Sequence, residues 1–216
     1  MSGLVVAREQ SAASMAALQG RTADEMCARL EQGHRAYVAR LGGVAAAWGW
    51  VATTSARIGE LETTFAIGRG ARYLWNFVTV TAHRGMGIYP RLLNGIVEAE
   101  LAGADRSWIA YAPENHASSS GIHEAGFTTI AQLSFDRSGR PALRAADGFA
   151  RVAASASVLT GIPTIEQALA HCWRCVRMGR TAERSCRPGQ CACDYQRPER
   201  GCDTPTTTST ATRAIA

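Results

Sequence analysis

The sequence contains no lysine, so its basic charge is carried by arginine apart from five histidines. The formal net charge of +5 is compatible with an anionic partner. A bias in the amino-acid composition of the source organism explains it equally well. The arginines are dispersed, and they form neither a basic helix face nor a pattern interleaved with aromatic residues. The sequence therefore gives little support to nucleic-acid binding.

Long apolar runs are also missing. No stretch approaches the about 18 consecutive apolar residues of a membrane-spanning helix. Residues 1–11 lack the basic segment and apolar core of a signal peptide. We therefore expect no membrane span and a cytoplasmic location. A hydrophobic content of 46% and a charged content of 19% are typical of a globular protein with a packed core.

The seven cysteines are unevenly placed. Cys27 stands alone in a helical pattern, which predicts a small buried side chain. The others cluster near the end of the chain, where disulfides are not expected without an export signal and a metal site is favoured. These are Cys172, Cys175, Cys186, Cys191, Cys193 and Cys202.

The first part of the chain has the pattern of a β-meander with two helices. Residues 11–18 predict a short helix, and Thr22-Ala-Asp-Glu25 has the spacing of a capping box that begins a second one. Gly42-Gly43 predicts a hairpin turn. The predicted strands are residues 4–8, 36–41, 44–53, 61–67 and 73–80.

A β-α-β unit is predicted next. Ile88, Leu92, Ile96 and Leu101 recur at helical spacing, and residues 106–111 follow as a strand. After these come a predicted helix at 116–125 and strands at 127–135, 141–144 and 151–159, with a helical turn or two at 165–172. Together these elements predict an α/β (α+β) fold.

The stretch Arg84-Gly-Met-Gly-Ile-Tyr89 joins the strand at 73–80 to the following helix. A strand, a glycine-bearing turn and a helix start present free backbone N–H groups, which suit a phosphate. The same turn also serves in many proteins only to close a strand–helix corner. Both interpretations are open from this stretch alone.

A second stretch lies one β-α-β unit downstream, with Asn115, Ser118 and Gly126-Phe127 in order. With the glycine turn, it resembles the GNAT acyltransferase superfamily, whose members move an acyl group from coenzyme A to an amine. The match covers roughly residues 1–135. It implies a mixed, mostly antiparallel twisted sheet flanked by helices, and an N-acyltransferase that uses acetyl-CoA.

The resemblance also implies which residues bind coenzyme A. The turn would bind the pyrophosphate, the end of the strand at 73–80 would bond the pantetheine arm, and Asn115 would bind pantetheine unless it is simply a helix cap. The implied set is Val78, Thr79, Val80, Arg84, Gly85, Met86, Gly87, Ile88, Tyr89, Asn115, Ser118 and Ser119.

This chain departs from the family pattern at three positions. Tyr89 stands where a glycine or alanine is expected, and Ile122 where many members have the tyrosine that protonates the leaving thiolate. Trp75 and Asn76 stand where a strand carboxylate often acts as the base.

Other side chains are candidates for the missing roles. His123, Tyr111 or Tyr89 could protonate the thiolate, or the thiolate leaves without help. Glu60 or Glu62 could deprotonate the attacking amine if burial raises its pKa. The alternative is that both glutamates are solvated on a strand face.

The sequence thus predicts direct attack of an amine on bound acetyl-CoA, without an acyl-enzyme. The acceptor would be a small molecule, a protein N-terminus or a lysine. The competing class is a catalytically inactive module that binds coenzyme A or a protein. A homodimer is compatible with the sequence.

The Cys-rich segment has one CxxC knuckle. Tetrahedral Zn²⁺ takes four thiolate or imidazole ligands, which Cys172 and Cys175 with two of Cys186, Cys191 and Cys193 could supply. An iron–sulfur cluster, redox thiols and unliganded cysteines are the alternatives. The predicted division is a GNAT-like domain at 1–145, an extension with this segment at 146–203, and a disordered tail at 204–216.

A metal analysis of the purified full chain tests the zinc hypothesis. We expect about one zinc per chain, lost when Cys172 and Cys175 are both changed to Ser, because a structural site needs all four ligands. Elemental analysis by mass spectrometry gives the stoichiometry. Substoichiometric zinc and iron in the unaltered protein would contradict the hypothesis.

Overall fold

The computed structural model describes residues 3–58, 63–111, 115–136, 140–166 and 208–214, the last as backbone. The chain divides into two compact units. One comprises Met1–Ile109, Ser120–Thr128 and Thr212–Ala216, and the other Ala110–Ser119 and Thr129–Ala211.

The first unit is built on a mostly antiparallel sheet. Its strands lie in the order β1-β2-β3-β6-β7, with antiparallel pairing throughout except between β6 and β7, which are parallel. The prediction of a mixed, mostly antiparallel sheet flanked by helices is confirmed. The strands are β1 (Leu4–Glu9), β2 (Arg35–Leu41), β3 (Val44–Ala52), β6 (Gly70–Thr79) and β7 (Ala104–Tyr111).

Two short helices pack on one face of this sheet. They are α1 (Ala12–Gln19) and α2 (Ala23–Glu31). The predicted capping box begins α2, because the Thr22 side chain accepts from the Glu25 N–H and the Glu25 side chain accepts from the Thr22 N–H. The buried residues of this layer are Met15, Ala16, Met26, Ala36, Val38, Trp48 and Trp50.

A longer helix, α3 (Ile88–Glu100), covers the opposite face. Tyr37 alternates with Ala36 and Val38 along β2, and its hydroxyl donates to the Glu100 carboxylate of α3. Neighbouring residues of a strand point to opposite faces, so α3 lies across the sheet from α1 and α2. Its apolar stripe is buried as predicted, with Leu92, Leu93 and Ile96 each 0% exposed.

A buried carboxylate attaches the end of α3 to the sheet. Glu100 is 2% exposed, and it accepts from Arg35 Nη1, Arg72 Nε and the Tyr37 hydroxyl, each at 2.6 Å. Burial alone would raise the pKa of Glu100, but these hydrogen bonds outweigh it and hold the pKa below its usual range. The Glu100 carboxylate therefore stays ionised at neutral pH.

The region between β3 and β6 differs from its prediction. The strand predicted at 61–67 is shorter, β5 (Thr63–Ala66), and it pairs with β4 (Ser55–Ile58) in a separate two-stranded sheet. Glu60 and Glu62 lie outside the described residues. Their predicted role as a base is therefore untested.

The second unit contains the strands β8 (Thr128–Phe135), β9 (Pro141–Ala145) and β10 (Thr164–Ile165). β8 and β9 are antiparallel, and β9 and β10 are parallel. Residues 151–159, predicted as an edge strand, instead form the helix α5 (Ala150–Thr160). Alanine is the strongest helix former, and Ala153 and Ala156 make the buried side of α5.

Two further predictions differ from the structure. Cys27 is exposed, because Met26 and Leu30 form the packed stripe of α2 and the next residue along a helix points about 100° away. Thr208–Ala214 forms a strand, β11, within the segment predicted to be disordered. Its threonines are β-branched, which favours an extended backbone. The predicted domain boundaries stay a prediction.

No helix in the described part of the chain is long and apolar enough to cross a membrane.

Replacing Glu100 with Gln tests the buried contact. The change leaves Arg35 and Arg72 without their anion, so we expect a loss of about 3 kcal/mol in the free energy of unfolding at pH 7. The folded pKa of Glu100 is lowered, so its stabilisation is present above the unfolded value of about 4.3 and is lost as the pH falls through the folded value. The difference between the variant and the wild type should therefore shrink in acid.

Urea denaturation across this pH range measures the effect. Glu98→Gln is the matched control, because Glu98 is exposed on the same helix and we expect a change within about 0.5 kcal/mol. Equal losses in the two variants would contradict the account.

Candidate functional site

The end of β6 carries a bulge. Trp48 of β3 pairs with Val78 and Trp50 pairs with Trp75, so β6 has one more residue than β3 between these pairs. Asn76 lies there with φ of +53°, the only positive φ of a non-glycine residue in the described chain. An inserted residue of this kind leaves the strand's hydrogen-bonding ladder. The bulge therefore turns backbone groups near Asn76 away from β3.

Beyond the bulge, β6 also runs past its other neighbour. The parallel register with β7 ends at Leu74 opposite Ile109, whereas β6 continues to Thr79 alongside β3. In the described chain, the β7-facing edge of residues 75–79 thus has no β7 partner. Backbone N–H and C=O groups on such an edge can pair with an extended ligand.

The predicted arm-binding residues differ in their backbone bonds. The Val80 N–H donates to Ala46 O at 2.9 Å, and the Val80 carbonyl accepts from the His83 N–H at 2.8 Å. The Val80 N–H is therefore used by the protein and is a poor donor to a ligand. Val78 is 37% exposed and Thr79 is half-buried; their bonds to a ligand stay a prediction.

The glycine stretch forms the predicted strand–turn–helix junction. After a short 3-10 turn at Thr81–His83, Gly85 and Gly87 adopt the left-handed region with φ of +74° and +66°, and Gly87 caps α3. Residues 84–86 are exposed. Because the first amides of a helix have no acceptor within it, the N–H group of Ile88 adds to the donors of the turn at the positive end of α3.

Two arginines lie at this turn. Arg84 Nε donates to Thr79 O at 3.3 Å, and Arg91 Nη1 donates to Gly87 O at 2.8 Å. The Arg91 guanidinium lies so close that a Cβ on Gly87 would come within 2.6 Å of it. Arg91 is not among the residues predicted from the sequence. The available signal was its position four residues after Gly87, one helical turn along α3.

Tyr89 fits at its unexpected position because glycines make room for it. Its ring centroid lies 5.5 Å from that of Phe77 on β6. A Cβ on Gly121 would collide with the Tyr89 ring, and one on Gly49 would collide with Phe77. The bulky residue is thus packed between elements rather than placed over the turn's amides. The Gly121 contact also brings part of the second predicted motif against the start of α3.

The second motif begins with a helix cap. Asn115 Oδ1 accepts from the Ser118 N–H at 3.1 Å, so Asn115 caps the helix α4 (His116–Glu124). This is the alternative role anticipated for it. Ser118 and Ser119 are half-buried. All three lie in the second unit, as does Tyr111, whose hydroxyl is 3.0 Å from Thr129 Oγ1; their binding and catalytic roles stay predictions.

The later half of α4 belongs to the first unit. Ile122, which stands at the position of the family's acid, is 0% exposed and serves the core. His123 is exposed, so its side chain is open to solvent, and its role as an acid stays a prediction.

The predicted zinc ligands Cys172, Cys175, Cys186, Cys191 and Cys193 lie outside the described residues. Within the described ranges, no group of three His, Cys, Asp or Glu side chains is arranged to hold a metal ion.

The solved structures similar to this chain include acetyltransferases. One is an acetyltransferase of the GNAT family from Streptococcus pneumoniae, 17% identical over 60% of this chain and 88% of its own, with a TM-score of 0.45. A variant of a spermidine N-acetyltransferase from Vibrio cholerae is 12% identical over 63% of this chain and 86% of its own, with a TM-score of 0.46.

A third is a ribosomal-protein alanine acetyltransferase from Vibrio fischeri, 13% identical over 62% of this chain and 84% of its own, with a TM-score of 0.46. No protein-family model matches the chain, and no curated protein does. Because these identities and TM-scores are low, a proposal of function rests on the geometry of the site itself.

Proposed function

We propose that this chain is an acyl-CoA-dependent N-acyltransferase, with acetyl-CoA as the donor and an amine as the acceptor. The observation that carries the proposal is the junction at Arg84–Tyr89, which is exposed at residues 84–86 and has two left-handed glycines at the start of α3. It follows directly on β6, whose edge beyond Leu74 lacks a β7 partner in the described register.

The junction suits the diphosphate of coenzyme A. The amides of residues 85–88 provide hydrogen-bond donors, and the α3 dipole favours an anion at its start. Arg84 and Arg91 add two positive charges beside these amides. In this proposal, the two arginines and the backbone amides balance the negative charge of the diphosphate, and no buried cation is needed.

The peptide-like pantetheine arm pairs with the open edge of β6. The N–H groups that the bulge releases at Asn76 and Phe77 are the donors we assign to the thioester oxygen. Donors fixed in place stabilise the charge that develops on this oxygen in the transition state. The Val80 N–H is not assigned this role, because it donates to Ala46 O.

The reaction is a direct transfer. The lone pair of the acceptor nitrogen attacks the thioester carbon, the C–N bond forms, and the C–S bond breaks with its electron pair going to sulfur. The nitrogen loses one proton and the thiolate gains one, giving an amide and free coenzyme A. Holding both reactants in position provides much of the acceleration. Glu60, Glu62, His123 and Tyr111 are the candidates for proton transfer.

The competing function is a catalytically inactive module that binds coenzyme A. Buried Ile122 at the acid position and Trp75 and Asn76 at the base position keep this alternative open. An assay of transfer, beside one of binding, separates the two functions.

Isothermal titration calorimetry of the full chain with acetyl-CoA tests the donor site. We expect saturable binding that weakens about 10- to 100-fold in Gly87→Val, because a charge-assisted hydrogen bond is worth about 1.5–3 kcal/mol. The valine would be strained at positive φ and would displace Arg91. Gly161→Val, at an equally left-handed glycine with open space after α5, is the control for backbone strain.

Release of free thiol with a panel of amines then tests transfer. No binding of acetyl-CoA at high micromolar concentration would overturn both functions. Binding without thiol release from any amine would leave the inactive module. Unchanged affinity in Gly87→Val would contradict the assigned diphosphate site.

A further inference from the structure

An arginine lies over two tryptophans on the sheet face that α1 and α2 cover. The Arg29 Cζ atom is 5.3 Å from the ring centroid of Trp50 and 5.1 Å from that of Trp75. The two indoles are cross-strand partners on β3 and β6. Attraction between a guanidinium and an aromatic face holds such a side chain in one orientation. Arg29 is therefore a positioned cation and not a freely moving surface charge.

Among the described residues, Arg29 forms no ion pair with a carboxylate. The ion pairs within the described ranges of the chain are Arg35–Glu100, Arg72–Glu100, Arg40–Glu9 and Arg140–Asp136. The Arg29 Nη1 atom donates a long hydrogen bond, 3.4 Å, to Gln19 Oε1. Burial and the neighbouring charge of Arg21 lower the pKa of Arg29, whereas the nearby carboxylate of Glu25 raises it by a smaller amount. A half-buried guanidinium with a second arginine nearby favours the approach of an anion.

Unpaired polar atoms gather around the same cluster. The indole Nε1 atoms of Trp50 and Trp75 and the Nδ1 atom of His34 are buried without a hydrogen-bond partner among the described residues. The His34 ring lies 5.1 Å from that of Trp75. Buried donors in proteins are nearly always satisfied. Their presence around Arg29 is consistent with a polar ligand at this place.

The cluster reaches the bulge through one side chain. Gln19 Oε1 accepts both from Arg29 Nη1 and from Asn76 Nδ2, each at 3.4 Å. Asn76 is the bulged residue of β6 and follows Trp75 directly. The guanidinium is thus one side chain away from the point where the proposed function places the thioester, and on the face of the sheet opposite α3.

We propose that Arg29 binds an anionic group of the acceptor, so that the acceptor is an amine that also carries a carboxylate or a phosphate. This inference rests on the proposed function. A guanidinium binds a carboxylate or phosphate through two parallel N–H bonds, which fixes the bound group in orientation as well as position. With its anion at Arg29, the acceptor presents its amine towards Asn76.

The same geometry disfavours acceptors that carry only positive charge. The paired indoles of Trp50 and Trp75 would attract an ammonium group, but Arg29 already occupies their shared face. A polyamine would meet the charges of Arg29 and Arg21 there. Repulsion between like charges close together costs binding energy.

Thiol release by the full chain from acetyl-CoA tests the inference with matched amines. The panel is the twenty amino acids against their primary amides, and phosphoethanolamine against ethanolamine, with spermidine as the cationic amine. We expect kcat/KM for the best anionic acceptors to exceed that for their neutral partners by about 10- to 100-fold, since hydrogen bonds to charged groups contribute about 1.5–3 kcal/mol. The amino-acid and phosphate arms distinguish the two anions.

Variants assign the preference to Arg29. Arg29→Met keeps the apolar cover over the indoles and should raise KM for the anionic acceptor about 10- to 100-fold, with little change for the neutral amine. Arg29→Lys keeps the charge and should restore part of the preference. Arg106→Met is the matched control, because Arg106 also lies over an indole, 5.6 Å from the Trp108 ring centroid. Thermal melting shows whether each variant is folded.

The outcomes separate this inference from the proposed function. Transfer to neutral and anionic amines at similar kcat/KM overturns the anion site and leaves the acyltransferase. An anion preference that survives in a folded Arg29→Met assigns the anion elsewhere and overturns the role of Arg29. No thiol release from any amine of the panel overturns both.

Discussion

The buried carboxylate of Glu100 determines where α3 lies. It is bound by Arg35 and Tyr37 of β2 and by Arg72 of β6, so the last turn of α3 is attached to two strands. An ionised group in this position is stable only while all its partners are present. A helix held at its end and packed along its apolar stripe has its start in a defined place too. The backbone amides of Gly87 and Ile88 are therefore held in a fixed arrangement.

The bulge at Asn76 lies in β6, the strand that leads into the glycine turn. It interrupts the ladder between β3 and β6 just after the register with β7 ends at Leu74. Phe77 and Tyr89 then pack against each other between two glycines, Gly49 and Gly121. The bulge, the open edge and the glycine turn thus occur within one short segment of chain, and they offer backbone donors over the length of an extended ligand.

Local pattern was enough to predict several parts of this architecture. The apolar period of α3, the capping box at Thr22 and Glu25 and the strand–turn–helix junction at residues 84–89 follow from neighbouring residues alone, and each is confirmed. The resemblance to acyltransferases implied a mixed, mostly antiparallel sheet, which local pattern alone does not predict. Residues 151–159 were misjudged because valine and leucine among alanines and serines suit a strand as well as a helix, and tertiary packing decides between them.

The cation at Arg29 was not predictable in this way. Its partners Trp50 and Trp75 come from two strands distant in the sequence, and no spacing rule relates them to α2. The burial and ion pairing of Glu100 were not predictable either, because a lone acidic residue at a helix end is usually solvated. Cys27 shows the reverse error: its residue type favoured burial, but its position on α2 turned it to solvent.

We infer that backbone amides at the start of α3 bind the diphosphate of coenzyme A. Amide NMR of the full chain, recorded during a titration with coenzyme A, tests it most directly, because each amide reports its own hydrogen bond. The account predicts that the amide signals of Gly85, Met86, Gly87 and Ile88 move furthest and saturate with the binding curve. Saturable binding that leaves these four signals in place while others move would contradict it.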